Sequence, residues 1–136
     1  MGSTNYYDTF IEVAPDCPVD HAAEPRPRGT APTVAELQYR MIAEHPYEYD
    51  SDDVLFTVFA DRAGIGAEDR AAEREAFFAK GQPCLRASAL GKRLGWGVHS
   101  DDAGRVALHP VESDRYRELA ADPGVAHLVA MRSKRA

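Results

Sequence analysis

Apolar and polar positions alternate along YYDTFIEV, from Tyr6 to Val13, and the run stops at Ala14-Pro15. β-Branched and aromatic residues suit a pleated, half-buried surface, so the pattern predicts a strand with Tyr7, Thr9, Ile11 and Val13 on one face. The stretch that follows to Pro32 holds Pro15, Pro18, Pro25, Pro27 and Pro32 with little apolar content. Proline fixes φ and lacks an N–H, so residues 14–32 read as an extended surface connection. It is longer than most loops, a length that goes with function or mobility.

The hydrophobic period then changes. Thr33 and Glu36 have the spacing of a capping box, and Val34, Leu37, Met41 and Ile42 recur on one helical face that must end near His45, before Pro46. The run DSDDVLFTVFADRAGI fits two periods. Val54, Phe56 and Val58 alternate as in a strand, whereas Leu55, Val58, Phe59 and Arg62 recur as in a helix. Its ends decide for a helix: Asp50 or Ser51 can cap it, Asp52 and Asp53 favour the positive end of its dipole, and Gly64 supplies a left-handed stop. The Ala-, Glu- and Arg-rich run from Ala67 to Lys80, with Gly81 beyond it, predicts a third helix, and Ser88 can cap a short helical turn.

GWGVHSDDAGRVALHP carries a hairpin signal. A type I turn through Asp102 and Ala103, with Gly104 left-handed, pairs Val98 with Leu108. This register puts Trp96, Val98, Val106 and Leu108 on a buried face and leaves His99 and His109 together on the other. Ser113 can cap a short helix through Leu119 that stops near Pro123-Gly124, and Val125, Leu128 and Val129 form a last apolar stripe. These elements predict a single α+β domain over residues 1–136. Its small, mostly antiparallel sheet is built from the N-terminal strand and the hairpin, with helices packed on one face.

The 136 residues suffice for a core without disulfide or metal staples, and 44% hydrophobic with 28% charged residues is ordinary globular usage. No apolar run approaches the roughly 20 residues of a membrane span, and the start MGSTNYYD has no signal-peptide character, so a cytoplasmic location without membrane contact is expected. Cys17 and Cys84 lack metal-ligand spacing and read as free thiols. A net charge of -6 makes broad nucleic-acid binding unfavourable, because phosphate neutralisation needs many cations. Charge is unevenly spread, however. Glu48, Asp50, Asp52 and Asp53 form an acidic stretch, whereas Ala76 to Ser100 contains no acid and carries Lys80, Arg86, Lys92 and Arg93. The terminal MRSKRA adds Arg132, Lys134 and Arg135.

FFAKGQPCLRAS (77–88), GKRLGWGVH (91–99) and AMRSKR (130–135), together with NYYDTFIEVAPDCPV and YEYDSDDVLF, resemble a family of small bacterial single-domain proteins of unknown function. The resemblance spans nearly the whole chain. It implies a bacterial, single-domain protein and assigns no activity, cofactor or catalytic residue. Leu94 and His109 stand where that family's pattern leads one to expect an aromatic residue.

Three chemistries compete for these residues. Arg86, Lys92, Arg93, Trp96 and His99 are the candidate ligand-binding set, because guanidinium forks suit a phosphate or carboxylate. The partner would be a small anionic ligand or an acidic protein surface. The competing view has these cations solvated or paired with the acidic stretch. Gly95 and Gly97 can admit a ligand backbone-close over Trp96, or relieve crowding in a bent strand. An enzyme using Cys84 as nucleophile and His99 as base is the alternative, with Arg86 lowering the thiol pKa. A structural or self-associating module is the third reading, and the oligomeric state is left open. No cofactor or metal is expected, since neither a strand-GxGxxG-helix unit nor an HExxH spacing occurs and His99 with His109 is a weak ligand pair.

Overall fold

Phe10 and Ile11 are both fully buried although adjacent strand residues point to opposite faces, so the strand that carries them must be covered on both sides. A computed structural model, which describes residues 2–133, shows how. The strand is β1 (Thr9–Glu12), and it lies inside a four-stranded sheet with β2 (Trp96–Ser100), β3 (Val106–Pro110) and β4 (Ala126–Val129) in the order β3-β2-β1-β4. β1–β2 and β2–β3 are antiparallel; β1–β4 is parallel. The fold class is α+β, as the hydrophobic pattern predicts.

Among the described residues there are five α-helices: α1 (Val34–Glu44), α2 (Ser51–Ala63), α3 (Arg70–Ala79), α4 (Ala89–Lys92) and α5 (Asp114–Ala121). On one face Ile11, Val98 and Val106 pack with Ile42 of α1, Val54 and Val58 of α2, and Leu85 just before α4. On the other, Phe10 packs with Tyr116 and Leu119 of α5, its ring meeting Tyr116 edge-on at 4.9 Å. Each such fully buried side chain contributes about 1.5–3 kcal/mol of transfer free energy.

Local signals are realised closely. Thr33 and Glu36 close a capping box on α1, and Asp50 and Asp53 close a second on α2, whose end is set by Gly64 at φ 70°. Ser88 caps α4 and Ser113 caps α5. The hairpin has the predicted register, Val98 opposite Leu108, with Gly104 at φ 82°.

Four expectations need correction. The first strand is shorter than Tyr6 to Val13, because Asp8 sits at φ 47°, outside extended backbone, and gives its N–H to the Asp101 carbonyl. Helices cover both faces, not one: α5 crosses behind Phe10. The stripe of Val125, Leu128 and Val129 is a strand edge, since β4 joins β1 through Thr9 opposite Ala126 and Glu12 opposite Val129. Finally, the third helix is shorter than Ala67 to Lys80: a 3-10 turn at Ala67–Asp69 precedes α3, which ends at Ala79 and buries none of its residues. Its Phe77 and Phe78 join the buried Phe56 and the half-exposed Phe59 in an aromatic group, with the Arg74 guanidinium 5.7 Å from the Phe78 ring.

Candidate functional site

The acidic stretch does not neutralise the basic segment. Asp52 accepts from Ser3 Oγ, Thr4 N–H and Thr4 Oγ1, Asp50 accepts from Asn5, and Asp53 pairs with Arg74 at 3.0 Å. Residues 3–5, Arg74 and, at Glu48, His45 thus hold the carboxylates of the acidic stretch.

The GWG stretch holds the proline-rich connection against the body of the protein. Gly95 has φ 84°, and a Cβ there would lie 2.9 Å from the His21 carbonyl oxygen, so glycine lets residues 21–22 rest on its backbone. Three hydrogen bonds complete the clamp. Ala23 N–H donates to the Leu94 carbonyl (2.9 Å), the Trp96 indole Nε1–H donates to the Ala23 carbonyl (2.8 Å), and Ala22 N–H donates to the Glu112 carboxylate (2.9 Å), which lowers the Glu112 pKa. The close approach at Gly95 is therefore made by the chain itself and not by a ligand. Gly97 has a separate reason: a Cβ would fall 2.7 Å from both Phe10 Cζ and Tyr116 Cε2.

Beyond the clamp, residues 23–28 stand over a cleft of about 420 Å³. Its floor is Thr33, Val34 and Ala35 at the start of α1 with Ala89, Arg93 and Leu94 at α4; its overhanging wall is Ala23 to Arg26 and Arg28. α4 is fixed beside α1 by a buried hydrogen bond from Ser88 Oγ to Gln38 Oε1, 2.6 Å. Arg26, Arg28 and Arg93 all line the cleft, with Glu24 as the one acid, and no side-chain ion pair or hydrogen bond holds these three arginines among the described residues. The first N–H groups of α1 have no partner within the helix and carry the positive end of its dipole.

The five predicted ligand-binding residues separate into distinct places. Arg93 lines the cleft, and Trp96 holds the Ala23 wall while its ring lies 5.4 Å from that of Tyr39. Lys92 belongs to α4 but does not line the cleft. Arg86 is turned to β4, with Nε donating to the Val129 carbonyl at 2.8 Å while its own carbonyl accepts from Met131 N–H. Arg132 is exposed beyond that point, and Lys134 and Arg135 lie outside the described residues. Arg26 and Arg28 carry no binding signal in the sequence because PRPRG reads as surface connection. The length of that connection was the available signal.

Cys84 and His99 do not meet. Cys84 Sγ lies 3.3 Å from Tyr6 Oη, and this hydrogen bond with burial raises the tyrosine pKa. Tyr6 packs on the Ile11 side of the sheet, whereas His99 is on the Phe10 side. There His99 and His109 do come together, as their register predicts, and a residue with no sequence signal joins them. Tyr47, at the left-handed φ of 60°, bonds its N–H to the Val106 carbonyl and sends Oη over the edge of β3 to His99 Nδ1 (2.8 Å) and His109 Nε2 (3.1 Å). One hydroxyl proton serves one ring, so the other ring donates an N–H to the Tyr47 oxygen. Burial, with Arg115 nearby, lowers the pKa of both histidines, that of His109 to about 4, and burial raises that of Tyr47. No group of three or more candidate metal ligands occurs among the described residues, and no helix among them is long and apolar enough to cross a membrane.

A family model described as a family of unknown function (DUF6157) matches residues 1–136. No curated protein and no solved structure matches the chain.

Proposed function

The chain belongs to that family of unknown function, and from its own geometry we propose that it is a non-catalytic binding protein that takes a small anion into the cleft beneath residues 23–28. The observation that carries this reading is the presence of Arg26, Arg28 and Arg93 around one cleft without carboxylate partners of their own among the described residues. Three guanidinium groups against Glu24 alone give the cleft positive potential, and guanidinium forks bind carboxylate and phosphate bidentately. The volume falls in the ordinary range for small-molecule sites, which combine apolar walls with a few placed polar groups. Binding is favoured over catalysis by the lining itself. It holds no Cys, His, Lys or Tyr, and its one hydroxyl, Thr33 Oγ1, accepts the Glu36 N–H as a helix cap. Two free thiols support a reducing, cytoplasmic setting, and the sequence resemblance supports a bacterial one.

The single tryptophan donates to the wall of the cleft, so its emission reports on occupancy. Titration with inorganic phosphate, nucleotides and small carboxylates, followed by Trp96 fluorescence and calorimetry, is expected to give saturable binding by at least one of them. Arg93→Ala and Arg28→Ala should each weaken it about tenfold or more, the loss of one charge-assisted hydrogen bond. No saturable response, or binding indifferent to both substitutions, defeats the reading.

A further inference from the structure

Val34 lines two hollows. On one side it is part of the arginine cleft, and on the other it opens a groove between α1 and α2, also about 420 Å³, formed with Gln38, Leu55, Val58, Phe59 and Arg62. The groove is lined mainly by apolar side chains, with Gln38 and Arg62 as its polar members. Val58 is its buried base, Gln38 accepts from Ser88, and Arg62 stands at the α2 C-terminal end, where it suits the helix dipole. Val34 is 41% exposed although the periodicity of α1 places it with the core residues, and Phe59 is 42% exposed on the facing helix. Two large apolar side chains thus face water at a groove that shares Val34 with a cationic cleft.

We propose that the ligand is a small amphiphile, with its carboxylate or phosphate head at Arg26, Arg28 and Arg93 and its apolar tail passing Val34 into the α1–α2 groove. This rests on the anion-binding reading of the cleft and adds the nature of the tail. Charge complementarity fixes the head, and Val34, which lines both hollows, gives the tail the shortest way from the arginines to an apolar surface. A purely polar anion would leave the exposed Val34 and Phe59 without a role. A purely apolar ligand would leave three guanidinium groups unmatched.

A series of straight-chain alkyl carboxylates from two to twelve carbons, each below its micelle concentration, tests the proposal with the full chain and Trp96 emission as readout. Each added methylene is expected to tighten binding about threefold to fourfold, the equivalent of about 0.8 kcal/mol per buried CH₂, until the groove is filled. Phe59→Asp should abolish that gain and leave inorganic phosphate or acetate binding within about twofold. Arg93→Ala should weaken every member, and alkylammonium ions of equal length should not bind. Matching alkyl phosphates show which head the arginines prefer. Affinity independent of chain length overturns the amphiphile while preserving the anion site. Equal binding of alkylammonium, or an acidic peptide outcompeting every alkyl chain, also overturns it. Failure of all anions to bind removes the underlying reading as well.

Discussion

Acidification should destabilise this protein through the Tyr47 cluster. His109 binds its proton with a pKa of about 4 in the folded chain against an ordinary 6.5, because burial and the neighbouring His99 and Arg115 disfavour the cation. Between those values the unfolded chain binds the proton more tightly than the folded one. Stability from this group is therefore complete above about pH 6.5 and falls as the pH drops toward 4. The interval, at about 1.4 kcal/mol per tenfold change in proton affinity, sets an upper bound of about 3.5 kcal/mol. The ring is only partly withdrawn from water, so solvent screening reduces the expected loss to about 1–2 kcal/mol. Urea unfolding at pH 7.5 and 4.5 measures it, with His109→Gln as the comparison, since glutamine can still bond Tyr47 but does not titrate. Carboxylates held low by hydrogen bonds, such as Glu36 and Glu112, also lose stabilisation in acid, so the quantity that counts is the difference between wild type and variant at each pH. The variant should lose less stability on acidification than the wild type, by about 1 kcal/mol or more. Equal losses, or an NMR titration placing His109 near 6.5, would refute the reasoning.

Gly97→Ala should destabilise the fold by about 3 kcal/mol, because the new methyl falls 2.7 Å from two buried rings that have no space to retreat; a denaturation midpoint close to wild type contradicts this. Gly95→Ala places a side chain at φ 84° and against the His21 carbonyl, at a cost of about 1–2 kcal/mol, and should release residues 21–24. Tryptic cleavage after Arg28 is then expected to accelerate and Trp96 emission to shift to the red, while unchanged cleavage would show that the clamp does not depend on Gly95.

Much of the architecture was legible because it is written locally. The capping boxes at Thr33 and Asp50, the left-handed glycines at 64 and 104, and the Val98–Leu108 register each depend on residues within a few positions of one another. The ambiguous run from Asp50 to Ile65 was resolved by its ends, not its interior. β4 escaped because a four-residue parallel edge strand has no turn to its partner and no alternation long enough to read. The site was less legible still. Arg93 stood out by charge, but Arg26 and Arg28 reach it only through the clamp at Gly95 and Trp96, which no spacing along the chain announces. Tyr47 reaches the two histidines by leaving regular structure altogether.

The order β3-β2-β1-β4 also governs how the chain can reach its native state. Near the beginning of the sequence, β1 finds one neighbour in residues 98–100 and the other in residues 126–129, so Thr9 and Ala126 must meet across more than a hundred intervening positions. Contacts of such high sequence separation slow folding, whereas α1 to α3 and the β2–β3 hairpin can form from local interactions. On a ribosome, Ile11 can meet α1 and α2 soon after they emerge, but Phe10 remains without its cover until α5 has been synthesised, and β1 without strand partners until β2 and β4 follow. A pause in elongation within the last quarter of these residues would leave β1 with an unpaired edge beside the uncovered Phe10, the form of this protein most prone to aggregate.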